Sequence, residues 1–280
     1  MLAAIDFPLQ KAEFSYDFGV RALPTGECPF RQTEDFAAEV ELRRQVYRTH
    51  REETFAFLPD SGPLCVEVCD WIERTVPWVT ADKGAGSSHP LERVGLQVQE
   101  DIAVMRDDAA GGFPIVAGLV CLPSGWSIRD KLGRSMGHTH EEVPGFAQHM
   151  RQKTEKLFAA MPPLRPVARR NWSINPAATL PRLPSQEAVA ARDRRLVTPA
   201  NAGQRCHLRV EYQTLTRMPA TGAIVFTILT LQSRLEQLDR DQAKILAGVL
   251  RTCPDAVIDY KNLADIRPQM LAYFDRRLSL

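Results

Sequence analysis

Apolar residues recur at intervals of three and four along several stretches of the chain. From Thr33 the sequence reads T-E-D-F-A-A-E-V-E-L-R-R-Q-V-Y, with acidic residues in the first turn, where they interact favourably with the helix dipole. This pattern predicts a long amphipathic helix. A second helix is predicted from Pro63 to about Val76, because proline is tolerated in the first turn. The same spacing predicts helices over Gln148–Met161, Arg240–Thr252 and Asp265–Leu278.

Five other segments have the composition of β-strands, with many β-branched and aromatic residues. They are Ile102–Arg106, Pro114–Leu122, Val167–Ile174, Leu208–Arg217 and Ala223–Leu231. The turn sequence D-D-A-A-G-G joins the first two, and M-P-A-T-G joins the last two. Two hairpins with helices inserted between them predict an α+β fold built on one five-stranded antiparallel sheet.

Strict alternation in the fourth predicted strand separates two sets of side chains. One face carries Leu208, Val210, Tyr212, Thr214 and Thr216, and the other carries Arg209, Glu211, Gln213, Leu215 and Arg217. The polar face either lines a site or forms a ladder of ion pairs on a solvated sheet. In the third strand, Trp172 fits a core position, with Arg170 paired to a carboxylate of Gln99–Asp101.

Two further segments lack a clear period. The first thirty residues place Phe7, Phe14, Tyr16, Phe18 and Phe30 among glycines and prolines, which predicts an irregular arm wrapped on the core. Segment 176–206 is rich in Pro, Ala and Arg and is predicted to be an exposed excursion. A length of 280 residues fits a single domain over 1–280, with this arm and helical extensions.

Composition narrows the class of protein. Hydrophobic content of 44% and charged content of 25% are ordinary for a globular protein. The 35 basic and 34 acidic residues nearly balance, which argues against nucleic acid as the main partner. No apolar run approaches the roughly 18 residues of a membrane span.

The cysteines and the missing cofactor motifs carry further expectations. Six cysteines without C-x-x-C, and a start without a leader pattern, favour a reducing cytoplasm. Cys65 and Cys69 are expected to be a buried thiol pair rather than a metal site. Neither G-x-G-x-x-G nor an iron–sulfur spacing is present, so redox chemistry would take its electrons from elsewhere.

Candidate chemistry concentrates in the stretch from Trp126 to Phe146, which holds His138 and His140 beside two glutamates. Neutral imidazole is a common ligand of transition metals and of haem iron. The two histidines share a face only in an extended chain, whereas in a helix they project about 200° apart. A glycine-punctuated loop of this kind is equally typical of a solvated connection.

Two kinds of metal site are compatible with this stretch. Metal cupins also use H-x-H followed by glutamate, but here the glutamates follow too closely and no later P-x-G-x-x-H element appears. A haem needs one axial imidazole, an apolar cavity and cations for its propionates. Among the six histidines, His138 and His140 have the most favourable context for this role.

The chain resembles the haem-binding catalytic (alpha) subunit of the haem-dependent oxidative N-demethylases, over most of its length. Several motifs in order carry the resemblance. They are F-x-Y-D-F-G-V-R-A-L near the amino terminus, V-Q-E-D-I-A-V-M (Val98–Met105), V-C-L-P-S-G-W (Val120–Trp126), K-L-G (Lys131–Gly133), H-x-x-V-P (His140–Pro144), R-N-W (Arg170–Trp172), R-V-E-Y-Q-T-L-T-R-M-P (Arg209–Pro219) and Y-K (Tyr260 and Lys261).

The resemblance also has local departures. The family reads approximately I-H-x-P-V-P at its histidine, so Thr139 and Glu142 are substitutions here and His138 is an additional histidine. His140 matches the family's histidine, and the resemblance implies that it is the axial ligand of the iron. Where the family often has Glu-Arg-Gln, this chain has a tyrosine between Glu211 and Gln213, so one cation is missing.

What the family implies is a PAS-like sheet cradling haem b. The implied reaction oxidises a small secondary amine with dioxygen to a primary amine and formaldehyde. The implied electrons come from NADPH through flavin and an iron–sulfur cluster on a partner subunit or reductase. Glu211 and Gln213 are the expected catalytic residues, and the Glu211 carboxylate is expected to hold the protonated amine. The expected haem contacts, besides the His140 ligand, are Lys131, Arg170, Arg209 and Trp126.

Function classes besides this enzyme remain open from the sequence. A PAS-like scaffold also serves haem or small-molecule sensors, because a fold does not fix a function. No sensor output domain, coiled-coil linker or DNA-binding helix pair is visible in the sequence. An H-x-H metal protein and a relative that has lost its haem are also compatible with the sequence.

Overall fold

A computed structural model describes residues 7–17, 19–80 and 89–279 of the chain. Within these residues, seven strands form one antiparallel sheet. They are β1 (Arg21–Ala22), β2 (Phe55–Phe57), β3 (Asp101–Met105), β4 (Ile115–Leu119), β5 (Val167–Asn175), β6 (His207–Arg217) and β7 (Ile224–Arg234). Their order across the sheet is β1-β5-β6-β7-β3-β4-β2.

The expected mixture of helices with one antiparallel sheet is confirmed, but the expected number of five strands is wrong. The two additional strands are β1 and β2, which form the edges of the sheet and are only two and three residues long. Such short strands carry no readable alternation. The five predicted strands lie in the order second, first, fifth, fourth, third. The PAS-like arrangement itself stays a prediction.

The described residues form thirteen α-helices. They are α1 (Phe36–Thr49), α2 (Arg51–Thr54), α3 (Gly62–Thr75), α4 (Pro90–Gly95), α5 (Ile128–Lys131), α6 (Met136–Thr139), α7 (Phe146–His149), α8 (Arg151–Ala160), α9 (Glu187–Arg195), α10 (Ala202–Arg205), α11 (Arg240–Thr252), α12 (Asp255–Tyr260) and α13 (Arg267–Ser279). The five predicted helices are all present, although the one predicted over Gln148–Met161 is divided between α7 and α8. Asp239 and Gln242 close a capping box at the start of α11.

The central strands have two faces with different coverings. The Glu211 face carries Arg169 and Asn171 of β5 together with Arg209, Glu211 and Gln213 of β6. Beyond these polar residues, apolar side chains from the segment between β4 and β5 pack on this face. That cluster includes Ala103, Met105 and Leu215 of the sheet with Met136, Phe146 and Phe158 of the helices.

The opposite face, named the Trp172 face, is covered by long helices. Trp172, Ile174, Leu208 and Val210 pack there against residues of α11, α12 and α13. At the other end of the sheet, Ile102, Val104 and Leu119 pack against α3 and α4. Burial of this apolar surface is the main stabilising term for the fold.

Cys65 and Cys69 in α3 belong to the second of these clusters, and both are buried free thiols, as expected. Burial raises the pKa of the Cys65 thiol to about 11. A thiol in this state is protonated at neutral pH and is a poor nucleophile and metal ligand.

The amino-terminal arm is wrapped on the core, as predicted, through its described residues. Phe7, Phe14 and Tyr16 pack against the cluster under α11 and α13, and the Phe14 amide donates to Thr252 Oγ1 at 2.8 Å. Phe18 lies outside the described residues. The arm therefore runs over α11 towards the Glu211 face.

Segment 176–206 is not the exposed excursion that its composition predicts. It contains α9 and α10, and Leu183, Val197 and Ala202 are buried in the apolar clusters. These anchors are spaced irregularly, so they leave no periodic signal in the sequence. Among the described residues, no helix has both the length and the apolar character that crossing a membrane requires.

Candidate functional site

The two histidines of the H-x-H pair lie at the end of the short helix α6. Ser135 caps this helix by accepting from the His138 amide at 3.1 Å. The His138 side chain is 54% exposed and lies 3.6 Å from Glu141, whereas His140 stacks on Phe146 with ring centroids 4.8 Å apart. The rings therefore diverge, as expected for a helix. The described residues contain no group of three or more His, Cys, Asp or Glu suited to a metal ion, so the cupin-like site is not formed.

His140 is held in one tautomer by a backbone contact. Its Nδ1 lies 2.9 Å from the Met136 carbonyl oxygen, and a carbonyl can only accept, so Nδ1 carries the proton. The lone pair is consequently on Nε2, the other ring nitrogen. Burial lowers the pKa of His140, the Met136 bond opposes this, and the charges of Arg169 and Lys131 lower it further. The ring is thus a neutral imidazole whose Nε2 lone pair can bind a metal.

Glu211 is the centre of the polar part of the Glu211 face. Its Oε2 accepts from Asn171 Nδ2 at 3.3 Å and from Gln213 Nε2 at 3.0 Å, and its Oε1 accepts from Arg209 Nε at 3.4 Å. A carboxylate has about four acceptor positions, so one on Oε1 remains. The predicted pair of Glu211 and Gln213 is therefore brought together in the structure.

Arg169 lies on the face that carries Glu211, whereas Arg170, the predicted haem contact, lies on the opposite face. Arg169 is opposite Gln213 in the β5–β6 register, and Arg170 is opposite Tyr212. The Arg170 guanidinium accordingly lies over the Tyr212 ring, 5.2 Å from its centroid, on the Trp172 face. Neighbours in a strand point to opposite sides, so Arg169 shares the Glu211 face and Arg170 does not. Arg170 as a haem contact stays a prediction.

The Arg169 guanidinium has an unsatisfied hydrogen-bond donor. Its Nε is buried without a hydrogen-bond partner among the described residues. Burial lowers its pKa, and the charges of Glu211 and Asp17 only partly oppose this effect. Because Arg169 also lowers the pKa of His140, the two side chains lie within electrostatic reach of each other. A partly buried cation of this kind is ready to receive an anionic group.

The other three predicted haem contacts occupy different environments. Lys131, at the end of α5, donates to the Thr139 carbonyl at 3.3 Å, next to His140. Trp126 packs at the margin of the apolar cluster on the Glu211 face. Arg209 is buried and donates to the Leu122 and Leu180 carbonyls at 2.5 and 2.8 Å. These backbone bonds tie the sheet to its covering segments.

Two residues of the site come from the end of α12 and were not expected there. Lys261 donates to the Trp172 carbonyl at 2.6 Å, and its Nζ lies 4.7 Å from the Trp172 ring centroid. Burial lowers the pKa of Lys261 to about 8, with Glu211 opposing. Tyr260 lies within electrostatic reach of Glu211 and of Glu142 in the histidine loop. The Y-K motif was the only sequence signal for these positions.

The arm completes the rim of the site. Tyr16 stacks on His149 of α7 with ring centroids 4.5 Å apart, and Asp17 lies within electrostatic reach of Arg169. The Tyr16 ring also lies directly against Gly145, where φ is +78° and a Cβ would collide with it. Glycine is required there for both reasons.

Comparison with known families shows which family the chain belongs to. Residues 73–271 match the family model described as haem-dependent oxidative N-demethylase, alpha subunit-like. The match covers 199 of the 280 residues and includes both His140 and the Glu211 face. The chain belongs to this family. The family is defined by haem-dependent oxidative chemistry, and an alpha subunit implies partner subunits.

The residues of the site fit a haem in this member of the family. His140 offers a neutral imidazole whose Nδ1–H is fixed by a carbonyl, which is how axial and metal-binding histidines are commonly oriented. Arg169 and Lys131 place two cations near that ring, and the Arg169 Nε lacks a partner in the described part of the chain. The apolar cluster of Met136, Phe146 and Leu215 supplies the non-polar surroundings.

Proposed function

We propose that the chain is the catalytic subunit of an oxidative N-demethylase. It binds haem b and oxidises a small secondary amine with dioxygen to a primary amine and formaldehyde. Family membership supports the class of reaction, and the fixed tautomer of His140 is the observation that carries the assignment of the ligand.

His140 Nε2 would hold the iron, and Arg169 with Lys131 would pair with the propionates. Haem bound in this way would supply the chemistry that activates dioxygen. The chain's own part is to keep His140 neutral and oriented through Met136 and to surround it with apolar side chains. Lowering of the His140 pKa by burial serves the same end, because only the neutral ring has a lone pair to offer.

Glu211 would bind the amine. A secondary ammonium has two N–H groups, and the remaining acceptor position on Glu211 Oε1 would take one of them in a charge-assisted hydrogen bond. Asn171 and Gln213 hold the carboxylate in place from the neighbouring positions of the Glu211 face. With the Arg169 charge offset by a propionate, Glu211 would divide its negative charge between Arg209 and the amine.

The electrons would come from a partner. We propose NADPH as their source, with flavin and an iron–sulfur cluster on a separate subunit or reductase. The cations and carboxylates described above bind and orient, and none of them is a redox group.

The direct test is product formation by the full chain loaded with haem. With a chemical or enzymatic electron donor and a panel of N-methyl secondary amines, formaldehyde and the primary amine should appear in equal amounts. Glu211→Gln should lose most of this activity, whereas Glu141→Gln, at a position that is 67% exposed, should retain it. Bound haem with no formaldehyde from any amine would contradict the proposal and favour a sensor.

A further inference from the structure

A second cluster of polar side chains lies where β5 ends and β6 begins, four residues along β6 from Gln213. Arg182 reaches it from the segment between β5 and α9, and its backbone is pinned by bonds with Pro123 and Gly125. Arg182 Nη1 donates to Asn175 Oδ1 at 2.9 Å. Arg209 and Arg194 both lie within electrostatic reach of Arg182.

This cluster has more donors than acceptors. Buried nitrogens without a hydrogen-bond partner in the described part of the chain are Arg182 Nε, Arg194 Nη1 and Asn175 Nδ2. Asn175 is only 1% exposed, and because its Oδ1 accepts from Arg182, its other amide atom must be the donor. Gln232, opposite Arg209 in the β6–β7 register, also has both amide atoms unpartnered.

The cluster also has an excess of positive charge. Arg194 pairs with Glu187, and Arg209 pairs with Glu211 at 3.4 Å. Among the described residues, no carboxylate lies within ion-pairing distance of Arg182. Burial lowers the pKa of Arg182, the neighbouring charges of Arg209 and Arg194 lower it further, and the charge of Glu187 only partly opposes them. Burying a guanidinium among like charges, with no carboxylate in direct contact, is unfavourable.

From these observations we infer that Arg182 and Asn175, with Arg194 at the margin, form a binding site for an oxyanion of the carboxylate or phosphate type. An oxyanion satisfies the unpartnered N–H groups and offsets the charge in a single step. Buried water would satisfy the donors but not the charge. The site is separate from the cations that influence His140, and the inference does not depend on the proposed function.

Equilibrium dialysis with labelled inorganic phosphate tests this inference on the full chain without haem, at constant ionic strength. The wild type should bind about one phosphate per chain in a saturable manner. Arg182→Gln should bind it at least tenfold more weakly, and Arg192→Gln, which removes an exposed charge from α9, should bind it normally. Arg182→Lys, which keeps the charge but loses the fork of donors, should fall between them.

The outcome that would overturn the inference is no saturable binding by the wild type, or equal binding by Arg182→Gln. Should Arg182→Gln fail to fold, the wild-type stoichiometry and Arg182→Lys still decide. Repeating the dialysis on the haem-loaded chain distinguishes a free oxyanion from a carboxylate of the haem. Retained phosphate binding indicates a free oxyanion, whereas its loss, with weaker haem retention in Arg182→Gln, indicates a carboxylate of the haem itself.

Discussion

Asn171 and Glu211 lie directly opposite each other on β5 and β6, and the Asn171 amide donates to the Glu211 carboxylate at 3.3 Å. Gln213 donates to the same oxygen, so the carboxylate is held from both sides. Replacing either donor by leucine should free Glu211 and raise the KM for the amine by roughly tenfold, since hydrogen bonds to charged groups contribute about 1.5–3 kcal/mol. Steady-state formaldehyde release measures this, with exposed Gln204→Leu as the control. An unchanged KM in both variants would argue against Glu211 as the amine ligand.

The two adjacent arginines of β5 should differ in their effect on haem. Arg169→Met removes a cation near His140 and should weaken haem binding by about tenfold, the order expected for loss of one charge-assisted pair. Arg170→Met removes a cation from the opposite face and is the matched control. Haem transfer to an acceptor protein gives the two dissociation rates. Faster loss from Arg170→Met than from Arg169→Met would contradict the assigned faces.

These two arginines also show the limit of what the sequence predicts. Alternation along β6 correctly separates Glu211 and Gln213 from Tyr212, because the period of a strand is two. It does not say how β5 pairs with β6, and a shift of one residue in this register exchanges Arg169 with Arg170. The pairing is set by tertiary packing, because 31 residues (176–206) separate β5 from β6.

Other parts of the site lie beyond sequence reasoning for a related reason. Lys261 follows α12 and lies some fifty residues after Glu211 in the sequence. The packing of α12 on the Trp172 face brings Lys261 to the Trp172 carbonyl. Sequence context selects His138 and His140 together, and the family resemblance alone favours His140. Its tautomer depends on one turn of α6 that places the Met136 carbonyl beneath the ring.

Titration of Lys261 should appear in the pH dependence of amine binding. Burial lowers its pKa to about 8, so its positive charge is present at pH 7 and lost by pH 9. That charge repels an ammonium held by Glu211, and the KM for the protonated amine should therefore fall several-fold between pH 7 and 9. In Lys261→Met the KM should be low and constant over this range. An identical pH profile in the variant would sink the prediction.

Glu100 should make folding stability depend on pH near neutrality. Burial raises its pKa to about 7, above its unfolded value, so the folded state binds more protons between these two values. The contribution of this group to the free energy of unfolding is fully present below the unfolded pKa. It is lost as pH rises through about 7, by up to about 3 kcal/mol. Glu100→Gln should flatten this dependence and be relatively more stable at pH 8. Urea unfolding at pH 5 and pH 8 measures the difference, with exposed Glu155→Gln as the control.

The visible spectrum of the full chain expressed with ample haem tests the central claim most directly. We expect a strong Soret band that is lost in His140→Ala and retained in His138→Ala, because of these two histidines only His140 has its Nδ1 held by a backbone carbonyl. A colourless wild-type protein, or a band that survives His140→Ala and disappears in His138→Ala, would contradict the account.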